Sequence, residues 1–341
     1  MSSLFPECVS TGTITASLRP TNVLFLIDRS SSMNCNLPPV TSSEDCERMP
    51  AKVDVSRPSK WEIVRAALDQ AIAQLPATAR AGISYFSNDD ACGVQSRPTV
   101  PIRALDAEQR AALAESLTRV EPRGGTPIVG GLILAYKHLN PDQTADVPNG
   151  NRFVVLLTDG QEGCAADQTA SLLERELPKS RTAGITTFVI GVPGSEVNRG
   201  FLSRLAFAGG TPSRPECDHT AGDRTAGDCQ FDMTRDTDLA AGLSRALAAI
   251  GGQALRCEFD VPRPANGEQL DHDTVNVVYT ERTGGEERVI AQDAAASCER
   301  ANGWQYNADK SKIVLCGGAC DSVRSAASIR IALGCKTAVL L

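Results

Sequence analysis

At 341 residues, 42% of them hydrophobic, the chain is long enough for two modest domains and has ample apolar material for a core. Its charge is acidic, 34 Lys and Arg against 41 Asp and Glu, with no basic run or basic-aromatic stripe, which argues against nucleic acid as a partner. No apolar run approaches the ~18 residues needed to span a bilayer.

In chain order, Gly12 to Leu18 alternates apolar and hydroxyl residues, the pattern of a half-exposed strand. Val23-Leu24-Phe25-Leu26-Ile27 is apolar throughout and predicts a strand buried on both faces. It stops at Asp28-Arg29-Ser30-Ser31-Ser32-Met33. Residues 34–58, rich in Pro, Ser and charge, read as an irregular insertion. A capping box follows at Ser59-Lys60-Trp61-Glu62, where serine and glutamate satisfy each other's backbone donors. Trp61, Val64, Leu68, Ala71, Ile72 and Leu75 then recur at helical spacing, a core stripe. Gly82 to Phe86 predicts a second strand, Pro98 to Ile102 one at the sheet edge, and Asp106 to Thr118 a helix.

Gly124-Gly125-Thr126-Pro127 opens another helix, with Thr126 at the N-cap and Pro127 at the first helical position. Ile128, Leu132, Ala135 and Leu139 face inward from it. Phe153 to Leu157 is a second fully apolar strand, and it ends at Thr158-Asp159-Gly160. Thr169 to Ala183 predicts a helix, Ile185 to Val192 a buried strand, and Asn198 to Ala208 a helix stopped by Gly209-Gly210. The polar insertion 211–230 repeats Thr220-Ala221-Gly222-Asp223 as Thr225-Ala226-Gly227-Asp228. Calcium binding by those aspartates is conceivable, and a solvated loop suits them better. A helix over Asp236 to Ile250 closes the region. Alternating strands and helices over 21–252 predict an α/β fold, a doubly wound and mainly parallel sheet.

From 253 to 341 the pattern changes. Short runs at Cys257–Val261, Thr274–Thr280, Glu287–Ala291, Ile313–Leu315 and Ser328–Leu333 are separated by turn residues, with no helix pattern of useful length. They predict a smaller, disulfide-bonded β-sandwich-like domain.

Three of these stretches belong together. Asp28-x-Ser30-x-Ser32, Gly124-Gly125-Thr126-Pro127 and Thr158-Asp159-Gly160 resemble the metal-ion-dependent adhesion site of von Willebrand factor A domains. The resemblance assigns Asp28, Ser30, Ser32, Thr126 and Asp159 to a metal, and it departs at Ser31, where the family usually has glycine. Taken singly, each stretch also reads as ordinary helix capping. Five oxygen donors without His or Cys suit a hard cation, Mg²⁺ first, with Mn²⁺ or Ca²⁺ as alternatives. Ligands of open α/β sheets gather beyond the carboxyl ends of the strands, where strand order reverses. Asp28 and Asp159 each end a strand.

The family resemblance implies a divalent-cation-dependent, adhesion-type protein binder, secreted, periplasmic or on the cell surface. Its partner would present a Glu or Asp to the metal, and its oligomeric state is left open. The alternatives are a non-catalytic structural or assembly subunit carrying a metal site, and a metal-assisted hydrolase using Asp28 and Asp159. An enzyme is disfavoured. An aspartyl phosphotransferase wants a second Asp where Ser30 stands, no GxSxG elbow occurs, and neither Gly124-Gly125 nor Gly191-Val192-Pro193-Gly194 carries the Walker lysine and serine. His138, His219 and His272 have no motif around them.

Twelve cysteines without a CxxC pair point to disulfides in an oxidising compartment. Residues 1–11 lack the regions of a signal peptide, so a leader is expected to have preceded them. Cys35 with Cys46, and Cys217 with Cys229, each close a loop inside one insertion. Cys92 and Cys164 each follow a strand at the same sheet end and are expected to pair. Cys257, Cys298, Cys316, Cys320 and Cys335 are odd in number, so parity assigns Cys8 to one of them. Residues 1–20 would then pack with the 253–341 domain, the A domain being inserted between. A free Cys8 on a frayed terminus is the alternative.

Overall fold

The computed structural model describes residues 12–16, 21–142, 150–220, 225–254, 257–261, 270–298, 300–324 and 326–340. The chain divides into two compact units, 20–254 in one and the two chain ends, 1–19 with 255–341, in the other. The first strand, β1 (Gly12–Ala16), belongs to the second unit.

The larger unit starts with β2 (Thr21–Asp28), a 3-10 turn over Ser31–Asn34, and the short helix α1 (Ser43–Arg48). There follow α2 (Lys60–Gln74), β3 (Ala79–Phe86), β4 (Val100–Ala104), α3 (Ala107–Arg119), α4 (Ile128–Leu139) and β5 (Asn151–Thr158). A helical stretch comprises α5 (Thr169–Ser171), a π-helical turn at Leu172–Glu176, and α6 (Leu177–Thr182). The unit ends with β6 (Ile185–Gly191), α7 (Arg199–Ala208), β7 (Phe231–Asp232) and α8 (Leu239–Ala254).

Its sheet has the order β4-β3-β2-β5-β6-β7. All neighbours are parallel except β4, which runs antiparallel to β3 at the edge. Every residue of β2 is buried, as an apolar run without alternation demands. Leu24 and Leu26 share one core with Val154 and Leu156 of β5 and with Ile128, Leu132, Leu202 and Leu205 from α4 and α7. Elsewhere Trp61 of α2 packs edge-on against Tyr85 of β3, ring centres 6.1 Å apart. Each fully buried large aliphatic contributes about 1.5–3 kcal/mol, so the unit is expected to stay folded without a cation. Chain order reverses between β2 and β5, whose carboxyl ends therefore form the crevice of the sheet.

Three local details differ from the sequence reading. The insertion 34–58 contains α1, whose six residues are too few to leave a periodic signal. Thr126 is not an N-cap: α4 begins at Ile128, and Pro127 precedes it with a ψ of 67° and no side-chain cap. The two-residue β7 is too short to read from pattern. Of the Thr-Ala-Gly-Asp repeat, Ala221 to Arg224 lie outside the described residues.

The smaller unit adds β8 (Cys257–Asp260), β9 (Val275–Thr280), β10 (Glu287–Ile290), β11 (Trp304–Tyr306), β12 (Lys312–Leu315), α9 (Gly317–Arg324) and β13 (Ser328–Leu333). Two antiparallel sheets, β1-β13-β9-β10 and β11-β12-β8, enclose a core that includes Val275, Val277, Trp304, Ile313 and Ile331. The helix α9 corrects the all-strand expectation. Its paired glycines weaken any helical pattern, and what secures it is burial of Ala319, Cys320 and Val323 in that core with Cys320 bonded to Cys257. Among the described residues no helix is long and apolar enough to cross a membrane.

Disulfides join Cys35–Cys46, Cys92–Cys164 and Cys217–Cys229 in the larger unit, and Cys257–Cys320 and Cys298–Cys316 in the smaller. The expectation for Cys8 falls outside the described residues. Register bears on it: Gly12 pairs with Leu333 and the strands run antiparallel, so the Gly12 end of β1 lies at the end of β13 that leads to Cys335. Non-reducing peptide mapping is expected to recover Cys8 linked to Cys335. A free Cys8 thiol in the oxidised protein would contradict it.

Candidate metal centre

The crevice at the ends of β2 and β5 gathers the chemistry. Asp28 closes β2 and Asp159 directly follows β5, and both are fully buried. Asp28 is fixed at both oxygens: Oδ1 accepts from the Ser30 backbone N–H at 2.7 Å and Oδ2 from the Thr158 hydroxyl at 2.6 Å. The 3-10 turn after β2 swings the serines back over the strand end, anchored by the fully buried Met33. Ser30 Oγ lies 3.0 Å from Ser32 Oγ, and Ser32 Oγ donates to Asp159 Oδ1 at 2.9 Å. One hydrogen-bonded chain thus runs from Ser30 through Ser32 to Asp159. Ser31 has an ordinary negative φ, since Lys310 alone among the described non-glycine residues has a positive one. The turn therefore accepts serine where the family has glycine.

Thr126 reaches the same place through its glycines. Gly124 has φ +78°, and its carbonyl accepts from the Ser31 N–H at 3.0 Å. A side-chain carbon there would fall 2.3 Å from Ser87 Oγ, so any other residue would push the loop away. At Gly125 such a carbon would press on the Cys92–Cys164 bridge, 3.2 Å from Cys164 Sγ. Thr126 Oγ1 in turn lies against Gly160, the residue after Asp159. The helix N-terminus that Thr126 leaves uncapped is served instead by Glu162. Its carboxylate accepts from the Val129 N–H at 2.6 Å and from the Cys164 and Ala165 N–H groups at 2.7 Å each. All five residues assigned from sequence are therefore brought together at one strand end.

Sequence reasoning missed Lys60. The residue is 3% exposed, and its ammonium forms an ion pair with Asp159 Oδ2 and donates to the Pro193 carbonyl at 3.0 Å. A signal was present, because a lysine in the first helical turn opposes the helix dipole and must be held there by something else. Arg29 was missed too. Buried beside Asp28, it donates to the Ser87 and Glu121 carbonyls and ties the loops behind the site.

The electrostatics are unbalanced. Burial, then the Asp159 charge, pushes the Asp28 carboxyl up to about 7, against hydrogen bonds from Ser30 and Thr158 that favour its ionised form. Of the two buried carboxylates Asp159 has the Lys60 ammonium and the Ser32 hydroxyl as partners, whereas Asp28 is held by the Thr158 hydroxyl and the Ser30 amide. Among the described residues no three His, Cys, Asp or Glu cluster as a metal site. The donor set thus depends on serine and threonine, and two acids with hydroxyls fit a hard divalent cation far better than zinc's usual nitrogen and sulfur.

Residues 22–218, more than half of the chain, match the family model of the von Willebrand factor type A domain, and the chain belongs to that family. No curated protein matches it. Solved structures similar to it include the PilB minor pilin from Streptococcus sanguinis, at 17% identity over 70% of this chain and 61% of that one, TM-score 0.47. A von Willebrand factor type A protein from Catenulispora acidiphila is 16% identical over 96% of this chain and 61% of that one, TM-score 0.44. Proximal thread matrix protein 1 from the mussel byssus, with a zinc-occupied MIDAS motif, is 16% identical over 73% and 50%, TM-score 0.44. The chain spans about three fifths of the length of the first two and half of the third.

Substitutions separate the roles. Thr126→Val removes an oxygen without disturbing the acids, and calorimetry is expected to show weakened Mg²⁺ binding on an intact fold. Asp159→Ala is expected to abolish the Mg²⁺ signal and also to lower stability by about 3–5 kcal/mol, because Lys60 loses its counter-ion. Ser31→Gly should bind as the parent does. Parental Mg²⁺ binding by Asp159→Ala would overturn the ligand assignment.

Proposed function

We propose that this protein is a divalent-cation-dependent protein binder of the adhesion type, acting at the cell envelope or exterior, with Mg²⁺ as its cation. The residues that hold the cation are Asp28, Ser30, Ser32, Thr126 and Asp159. One observation carries the reading: two fully buried carboxylates meet at the sheet's switch point among hydroxyl oxygens, and a single ammonium, that of Lys60, pairs with Asp159. Such a site sets one positive charge against two carboxylates and offers hard oxygen donors.

When bound, the cation supplies an open coordination position that a carboxylate oxygen of the partner fills. The chain's own residues prepare that position. Thr158 and the Ser30 amide orient Asp28, Ser32 and Lys60 orient Asp159, and the glycines bring Thr126 alongside. Partner choice then lies with the surrounding loops, the 34–58 insertion and the segment around Cys92. The disulfides among the described residues suit an exterior location, where such bonds persist. No residue is assigned a catalytic role.

A pull-down from envelope extract, run in Mg²⁺ and in EDTA, identifies the partner. Its affinity is then measured in Mg²⁺, in EDTA, and with its acidic contact residue changed to the amide. Binding is expected in the first condition and to be lost in the other two. Equal binding in all three would leave the metal without a role in recognition, as in a constitutive assembly subunit.

A further inference from the structure

A buried ammonium stands in contact with one of the acids assigned to the cation, where it opposes the charge that the site would take up. Lys60 opens α2 directly after the capping serine Ser59, and its backbone N–H donates to the Cys35 carbonyl at 2.8 Å. Its side chain is buried, with the ammonium donating to the Pro193 carbonyl at 3.0 Å and paired with Asp159 Oδ2. Gly194 closes over it, since a side-chain carbon there would lie 3.1 Å from the Lys60 Nζ. The ammonium is therefore fixed from several sides.

The two oxygens of Asp159 are thereby divided. Oδ1 accepts from the Ser32 hydroxyl, and Oδ2 holds the ammonium. A cation that joins Ser30 and Ser32 can reach Oδ1 while Lys60 keeps Oδ2. Arg29, the other buried cation near these acids, gives its hydrogen bonds to the Ser87 and Glu121 carbonyls. Among groups in direct contact, two carboxylates therefore face one ammonium, and one negative charge is left over. A bound dication turns that excess into one positive charge, which a single carboxylate from outside brings to zero. With a neutral side chain at position 60, the dication alone would neutralise both acids, and an incoming carboxylate would leave a negative excess.

We propose that Lys60 is the residue that makes the occupied centre select a carboxylate: it weakens the hold on the cation and leaves a positive charge for the partner's acid to neutralise. This rests on the proposed function, since it needs the cation to be held by the five residues named above. Charges inside a buried crevice are little screened, so one ammonium moves the two equilibria in opposite directions, against the cation and toward the carboxylate. Charge complementarity of this kind decides which partner is accepted more than how tightly it is held.

The test uses the full chain at pH 8, with Mn²⁺ as the first probe and acetate as the second. Calorimetry reads the Mn²⁺ affinity, and water-proton relaxation reads the displacement of water from the bound ion by acetate. Lys60→Gln keeps a hydrogen-bond donor beside Asp159 without the charge, and Lys60→Met removes both. Each is expected to bind Mn²⁺ about tenfold more tightly than the parent, and then to bind acetate about threefold more weakly. Lys137→Gln removes the same charge from the exposed side of α4 and is expected to change neither quantity. A lysine that only orients Asp159 would give the opposite sign, with weaker Mn²⁺ binding once it is replaced. Mn²⁺ binding unchanged or weakened in the Lys60 variants, or acetate binding no weaker than the parent's, would overturn the inference and leave the metal site standing. Failure of both variants to fold with Mn²⁺ present would overturn it too. A parent that binds no Mn²⁺ would overturn the proposed function as well.

Discussion

The structure turns on the meeting of two buried carboxylates. Asp28 and Asp159 end adjacent parallel strands at the point where the sheet's strand order reverses, and both are shut off from water. Placing one unpaired charge in such surroundings costs several kcal/mol, and placing two side by side costs more. Much of the surrounding architecture offsets that cost: the Ser30 amide and Thr158 hydroxyl on one acid, and Ser32 and Lys60 on the other. The compensation is incomplete, and the elevated Asp28 carboxyl registers the remainder.

Loop structure around the crevice follows from the need to bring oxygen atoms to that pair. Gly124 and Gly125 let the Thr126 loop pass close to Ser87 and to the Cys92–Cys164 bridge. That bridge, the Glu162 carboxylate on the α4 N-terminus, and Arg29 on two carbonyls hold three loops in one arrangement. The centre is therefore a set of loops tied to one another at the end of a sheet with its own apolar core. Removing the cation should leave the fold in place and alter only the crevice.

Much of this was legible in the sequence because the signals are strong and redundant. Fully apolar strands that stop at an acid, a capping box, and a Gly-Gly-Thr-Pro turn each have one main structural solution. Their order along the chain gave the mainly parallel sheet, and the resemblance to the von Willebrand factor A metal site supplied the candidate ligands. What could not be read was set by contacts far apart in sequence. Lys60 lies 99 residues from Asp159, and its oddity as a cation in a first helical turn is visible only to a reader who asks what holds it. Thr126 was misread as a helix cap because Glu162, from a later loop, takes that role. The helix α9 is stabilised by burial and a disulfide, against its own local propensity.

The central claim is that a divalent cation sits between Ser30, Ser32, Thr126 and the two acids. Anomalous scattering from crystals soaked in Mn²⁺ tests it most directly. A single strong peak is expected within bonding distance of the Ser30 and Ser32 hydroxyls and adjacent to Thr126, with the fold unchanged from that of EDTA-treated crystals. The account is contradicted if Mn²⁺ appears only elsewhere, or if that position stays without anomalous signal at saturating cation.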